Sequence, residues 1–326
     1  MKIALQNRFR FDGPGSKTPK GRPVDDAVEH LQQVVQSDID LKTQPNADKL
    51  HLRENAETRF FPHEDAQGTV VLYHGYTGGT WQYPEMANKL HESGYNVYVP
   101  RMPGHGLADE NGIESNKLMP KTTSKQVWRN FAQKTFDEAK DLGVPVHLVG
   151  LSGGANVALT AAKNNAEVET VTAMAPFLGS NGASGVLLPV LNVIDMVTFG
   201  LLGRCLDGMS RKDLPDTPET PGTQGTQGQA LAIYDLGADV KKVDVPLQLI
   251  TTAKDPLSGT FHTGRLFNKS SDESNAWYHF KEGEGVPHAM VSPLENKNEE
   301  SLETIYGILT DFMGEGKGTN RRPGAE

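Results

Sequence analysis

One ten-residue stretch constrains this chain more than any other: Val146–His147–Leu148–Val149–Gly150–Leu151–Ser152–Gly153–Gly154–Ala155. An apolar run of strand length meets G-x-S-x-G and passes into small residues that open a helix-like segment, Asn156–Ala162. A serine hydroxyl is a poor nucleophile unless it is held exposed beside a base. A sharp strand-to-helix turn achieves this by pushing Ser152 out at the strand's end. Gly150, Gly153, Gly154 and Ala155 leave room for such a turn to close. The chain holds 34 glycines, so the pentapeptide alone could be a chance loop. Its flanks and three further segments carry the argument.

Around it, apolar runs alternate with helical periodicity. Thr69–Tyr73, Tyr95–Val99, Val146–Gly150, Val168–Ala175, Val245–Thr251 and Ala276–Phe280 read as strands. Tyr83–Ser93 reads as a helix stopped by Gly94. A long helix capped by Thr122 or Thr123 carries Trp128, Phe131, Ala132, Phe136 and Ala139 on one face. Leu302, Ile305, Tyr306, Leu309 and Phe312 mark a final helix. Such alternation predicts an α/β fold with a mostly parallel central sheet and helices on both faces. Residues 1–56 form an N-terminal extension in which Val24, Val28, Leu31 and Val35 share a helix face. The core spans 57–176 and 236–315. Residues 177–235 break the alternation and are expected to form an inserted cap, with an apolar helix over Val190–Phe199. A Gly-rich tail, 316–326, is expected to be disordered.

Composition narrows the function classes. The 326 residues carry a formal net charge of −9, which disfavours nucleic acid and anionic membranes as partners. No apolar run approaches the roughly 20 residues of a membrane span, so stable membrane insertion is not expected. Cys205 is the single cysteine and excludes an internal disulfide framework. Met1–Arg8 lacks the apolar core of a secretion signal, so a cytoplasmic location is the default expectation.

Ser152 needs a base. His288, in Gly285–Val286–Pro287–His288–Ala289–Met290, follows the last strand in a loop able to reach across the sheet's end. The base needs a carboxylate to hold its tautomer. Asp255, just past strand Val245–Thr251, is at the strand's carboxyl end, where α/β sheets place their sites. Asp195, Asp235 and Asp244 are weaker alternatives. An acyl-transfer intermediate also needs two backbone N–H donors. Gly153 follows the nucleophile, and the loop His74–Gly75–Tyr76–Thr77–Gly78–Gly79 supplies the other, assigned to Tyr76. Loop glycines permit close backbone approach. His74, Gly75 and Leu151, with Leu191 and Ile194 of the expected cap, are the candidate substrate contacts. No second ligand stands at metal-binding spacing from His74, and no metal or cofactor is expected.

The order oxyanion loop, Ser, Asp, His resembles the α/β-hydrolase superfamily over about residues 57–315. His74–Gly79, Arg101–Met102–Pro103–Gly104–His105–Gly106 and Gly-Leu-Ser-Gly-Gly look like its bacterial carboxylesterase and monoacylglycerol-lipase branch. The resemblance implies a serine esterase or lipase that cleaves short- to medium-chain esters or monoacylglycerols through an acyl-enzyme on Ser152. Thioesters, lactones or small amides suit the same triad, and a non-catalytic binding protein is the rival from another class. Pro103–Gly106 is expected to be a structural turn, so His105 has no assigned chemistry.

Overall fold

A computed structural model describes residues 22–46, 49–109, 125–179, 210–211, 225–315 and 318–324. In chain order its elements are α1 (Val24–Thr43), β1 (His51–Leu52), β2 (Arg59–Phe61), β3 (Gly68–Tyr73), α2 (Pro84–Glu92), β4 (Tyr95–Val99) and β5 (Leu107–Ala108). There follow α3 (Lys125–Lys140), β6 (Val146–Leu151), α4 (Gly153–Asn164), β7 (Val168–Met174), β8 (Ser210–Arg211) and β9 (Gly225–Thr226). The last are α5 (Gln227–Ala238), β10 (Leu247–Thr252), α6 (Thr260–Lys269), β11 (Ala276–Phe280) and α7 (Glu299–Glu315).

Seven strands form one sheet in the order β11-β10-β7-β6-β3-β4-β2. Every pairing is parallel except that of edge strand β2 with β4. Every residue of β3, β6 and β10 is buried, as a sheet covered on both faces requires. Successive side chains still go to opposite sides. Val71, Tyr73, Leu148 and Leu249 join the core beneath α1, α3, α4 and α5. Val70, Leu72, Val149 and Ile250 join the core beneath α2 and α7. Trp128 and Phe136 of α3 are almost wholly buried, as their spacing predicts. Truncating either to alanine would cost about 3–5 kcal/mol.

The structure adds detail at four places. The cap boundary at 235 cuts through α5, whose Ile233 and Leu236 belong to the core rather than to a separate cap. The tail does not follow its composition: Arg321 accepts from His279 N–H and donates to Trp277 C=O, extending β11. An edge strand leaves backbone groups open, and residues near Arg321 satisfy them. Its guanidinium also pairs with Glu284 and lies over the Tyr278 ring. The inner face of α1 is Ala27, Leu31 and Asp38, with Val24, Val28 and Val35 only half-buried. Helix α6 has no counterpart in the sequence reading. The expected helix over Val190–Phe199, the Thr122/Thr123 cap and Cys205 lie outside the described residues.

The N-terminal extension is tied to the core by charge. Asp38 makes a two-pronged contact with Arg101, at 2.7 and 3.2 Å, and accepts from Thr58 N–H at 2.9 Å. Burial alone would raise the Asp38 carboxyl; the hydrogen bonds and charge of Arg101 bring it below the ordinary value. Arg101 in turn donates to His105 C=O, so α1 braces the Pro-Gly-His-Gly turn beside the sheet's carboxyl edge.

Candidate active site

Strand β6 ends at Leu151 and α4 begins at Gly153, so Ser152 alone makes the turn between them. Ser152 has φ 55° and ψ −116°, a conformation that side-chain-bearing residues avoid. A Cβ on Gly150 would lie 2.6 Å from Ala155 Cα, and one on Gly154 would strike the carbonyl oxygens of Tyr73 and His74. Glycine at both positions lets α4 start hard against β3 and β6. Ala175 and Lys254 also have positive φ, at 43° and 59°. Of the five described non-glycine residues with positive φ, these three stand at the carboxyl ends of the neighbouring strands β6, β7 and β10, while Lys49 and Asn55 lie in the loops before β2.

Asp255 follows Lys254 in the loop after β10, and His288 stands in the loop between β11 and α7. His288 Nε2 lies 2.8 Å from Ser152 Oγ, and Nδ1 lies 2.7 Å from Asp255 Oδ2. Leu257 and Ser258 N–H donate to Asp255 Oδ1 at 2.8 and 3.1 Å. The carboxylate is 3% exposed and fully engaged. A carboxylate acceptor requires Nδ1 to carry the proton, leaving the Nε2 lone pair to accept the serine hydroxyl. The His288 loop is tied down where Thr252 Oγ1 donates to Val286 C=O and Asn296 donates to Met290 C=O. Of the alternative acids, Asp244 pairs with Lys242, Asp235 lies on α5, and Asp195 is outside the described residues.

The oxyanion loop is held from behind. Gly75 C=O accepts from His74 Nδ1 at 2.9 Å and from Gly78 N–H at 3.0 Å. In a trans peptide the C=O and N–H point opposite ways, so these bonds aim Tyr76 N–H away from His74. Gly75 N–H is committed to Gln82 Oε1 at 2.8 Å. Gly153 opens α4, and the N–H of a helix's first residue has no intrahelical acceptor. A Cβ on Gly153 would lie 2.8 Å from Tyr76 Cβ, so the two candidate donors sit on backbones in contact.

His74 is not a substrate contact. It is wholly buried, and its Nε2 accepts Met102 N–H at 3.0 Å. Both ring nitrogens serve the backbone, and burial holds the imidazole well below its ordinary pKa. His105 packs against it and bonds Tyr76 C=O through Nε2; burial pushes it down to about 4.

A cleft opens over Ser152 and His288. Gly75 and Leu151 line it, while Leu191 and Ile194 lie outside the described residues. Sequence reasoning missed Phe177, Ala230 and Leu257 on its apolar side and Gln82 and Glu295 on its polar side. Gln82 Nε2 donates to Glu295 Oε2 at 3.2 Å, and burial raises the Glu295 carboxyl above the ordinary range. No spacing or motif marks these five; only chain crossing brings them together. Among the described residues no cluster of His, Cys, Asp or Glu could hold a metal ion, and no helix is long and apolar enough to cross a membrane.

Comparison with known proteins agrees with this architecture. Residues 64–214 match the profile of the family described as serine aminopeptidase, S33. The fold is similar to a monoacylglycerol lipase from Paleococcus ferrophilus, at TM-score 0.57 and 19% identity over 78% of this chain and 97% of that one. It is similar also to a soluble variant of the Saccharomyces cerevisiae monoglyceride lipase, at TM-score 0.56 and 15% identity over 86% and 98%. No curated protein sequence matches the chain. At these identities the likeness establishes the fold, which is that of the α/β-hydrolases.

Proposed function

From the α/β-hydrolase fold of this chain, we propose that it is a serine hydrolase of carboxylic esters that works through an acyl-enzyme on Ser152. The observation that carries the reading is the unbroken chain from Asp255 through His288 to Ser152, with links of 2.7 and 2.8 Å.

Each step follows from that chain. His288 Nε2 takes the hydroxyl proton as Ser152 Oγ attacks the ester carbonyl. Asp255 keeps the Nδ1–H tautomer and stabilises the imidazolium. The N–H groups of Tyr76 and Gly153 hold the oxygen that becomes negative. Collapse of the tetrahedral species passes the Nε2 proton to the departing alcohol. Water, deprotonated by His288, then attacks the acyl group, and Ser152 leaves with its proton restored. The chemistry calls on no cofactor or metal.

The apolar side of the cleft suits an uncharged acyl chain. Short- to medium-chain esters and monoacylglycerols are the proposed substrates. The Paleococcus and Saccharomyces structures are described as lipases of that type, which supports the reading. A fluorophosphonate probe should label the protein and fail to label Ser152→Ala. A panel of esters of increasing acyl length should then give a maximum in kcat/KM at short to medium chains. Equal labelling of both proteins, or no turnover of any ester, would overturn the assignment.

A further inference from the structure

A second and larger hollow lies between α5 and α6. Its floor is apolar and buried: Leu178, Tyr234, Val240 and Leu266 are each no more than 5% exposed. Its rim is basic: Lys241, Arg265 and Lys269 are exposed, and His262 stands among them. Among the described residues no carboxylate lines it. Among the described residues, neither Arg265 nor Lys269 has an ion-pair partner, although nearby cations outside the cavity do: Lys242 pairs with Asp244, and Lys125 and Arg129 pair with Asp239. A chain with 41 acidic and 32 basic residues thus gathers unneutralised positive charge around one apolar hollow. Clefts lined by one sign of charge over low-dielectric walls concentrate the opposite ion.

We propose that this cavity binds an amphiphilic carboxylate, with its anionic head on Arg265 and Lys269 and its chain on Leu178, Tyr234, Val240 and Leu266. Either part of the lining alone would be unremarkable. An apolar ligand would leave the cations without partners, and a simple anion would leave the floor wet. The site is separate from the triad cleft but backs onto it. Phe177, which walls the triad cleft, meets Tyr234 edge to face with centroids 5.9 Å apart. Ala230 and Tyr234, one turn apart on α5, face the two cavities respectively. This inference does not rest on the hydrolase reading.

Titration calorimetry on the full chain, with decanoate and decanol as probes, tests it. Decanoate should bind at least tenfold more tightly than decanol, and its affinity should fall as salt screens the rim. R265A/K269A should weaken decanoate binding roughly tenfold, the worth of two exposed charge contacts, without moving the thermal melt. Ester turnover by that variant should be unchanged, which separates this cavity from the triad cleft. Equal binding of decanoate and decanol to the unsubstituted protein would overturn the proposal with no variant needed. Undiminished decanoate binding by R265A/K269A would place the ligand elsewhere and overturn it equally. A protein that turned over no ester would leave both arms of the test intact.

Discussion

Two histidine-bearing regions meet at Tyr76, and they have opposite properties. His288 reaches the cleft with its side chain 20% exposed, between a carboxylate and a hydroxyl. His74 and His105 meet edge to face behind the loop at 4.9 Å between centroids, each at most 1% exposed, and their hydrogen bonds go to the backbone. A ring between a carboxylate and a hydroxyl can accept and return a proton, because the carboxylate stabilises the charged form. A ring enclosed by apolar neighbours and peptide groups stays neutral and acts as a brace. Residue type is therefore no guide to role here; the partners decide it.

The comparison breaks first, and by the largest factor, at the nucleophile. Ser152→Ala should lower kcat by about 10⁶, with the protein still folded, since the triad acts as a unit. Single-turnover kinetics with a chromogenic ester would show whether an acyl-enzyme burst disappears. Asp255→Asn should lower kcat by up to about 10⁴ through the wrong imidazole tautomer. A loss under tenfold would move the orienting acid to another residue.

On the bracing side the effects should be smaller and of another kind. His74→Phe removes the donor to Gly75 C=O and the acceptor for Met102 N–H. It should lower kcat by about 10² through a loosened Tyr76 donor, leave KM nearly unchanged, and cost about 1–3 kcal/mol of stability. A rise in KM alone would return His74 to the role of substrate contact. The effect that leaves catalysis at its working pH untouched is a dependence of stability on pH. Burial pushes His105 and His147 down to about 4, below the ordinary 6.5. The unfolded chain therefore binds more protons in that interval, and stability falls as pH drops from about 6.5 towards 4. Each group contributes up to about 3 kcal/mol once pH is below both values. Urea unfolding at pH 7 and pH 5 should show only part of this loss, and His105→Gln should flatten the slope. A stability that rises on acidification would contradict the buried neutral assignment.

Much of the site was legible because it lies where strands end. Ser152, Asp255 and His288 each follow an apolar run that only a buried strand explains, so sheet topology carries them to one edge. His74 misled because its neighbours Gly75 and Tyr76 do line the cleft. A residue one step earlier, at the end of β3, points into the core instead. Gln82 and Glu295 stand 213 residues apart and meet through one amide hydrogen bond, a relation that no local pattern encodes. The tail was misread because glycine and charge normally mark disorder, whereas the open edge of β11 offered backbone partners that composition does not reveal.

By itself the sequence determined the alternation of strands and helices, the turn that exposes Ser152, and the order in which the candidate triad appears. Periodicity and glycine placement are local properties, set within a few residues by sterics and burial. Tertiary structure alone decided the distances that link Ser152, His288 and Asp255, the pairing of Gln82 with Glu295, and where charge gathers over an apolar floor. Those depend on distances between remote segments, and only the packing of helices on both faces of the sheet sets them.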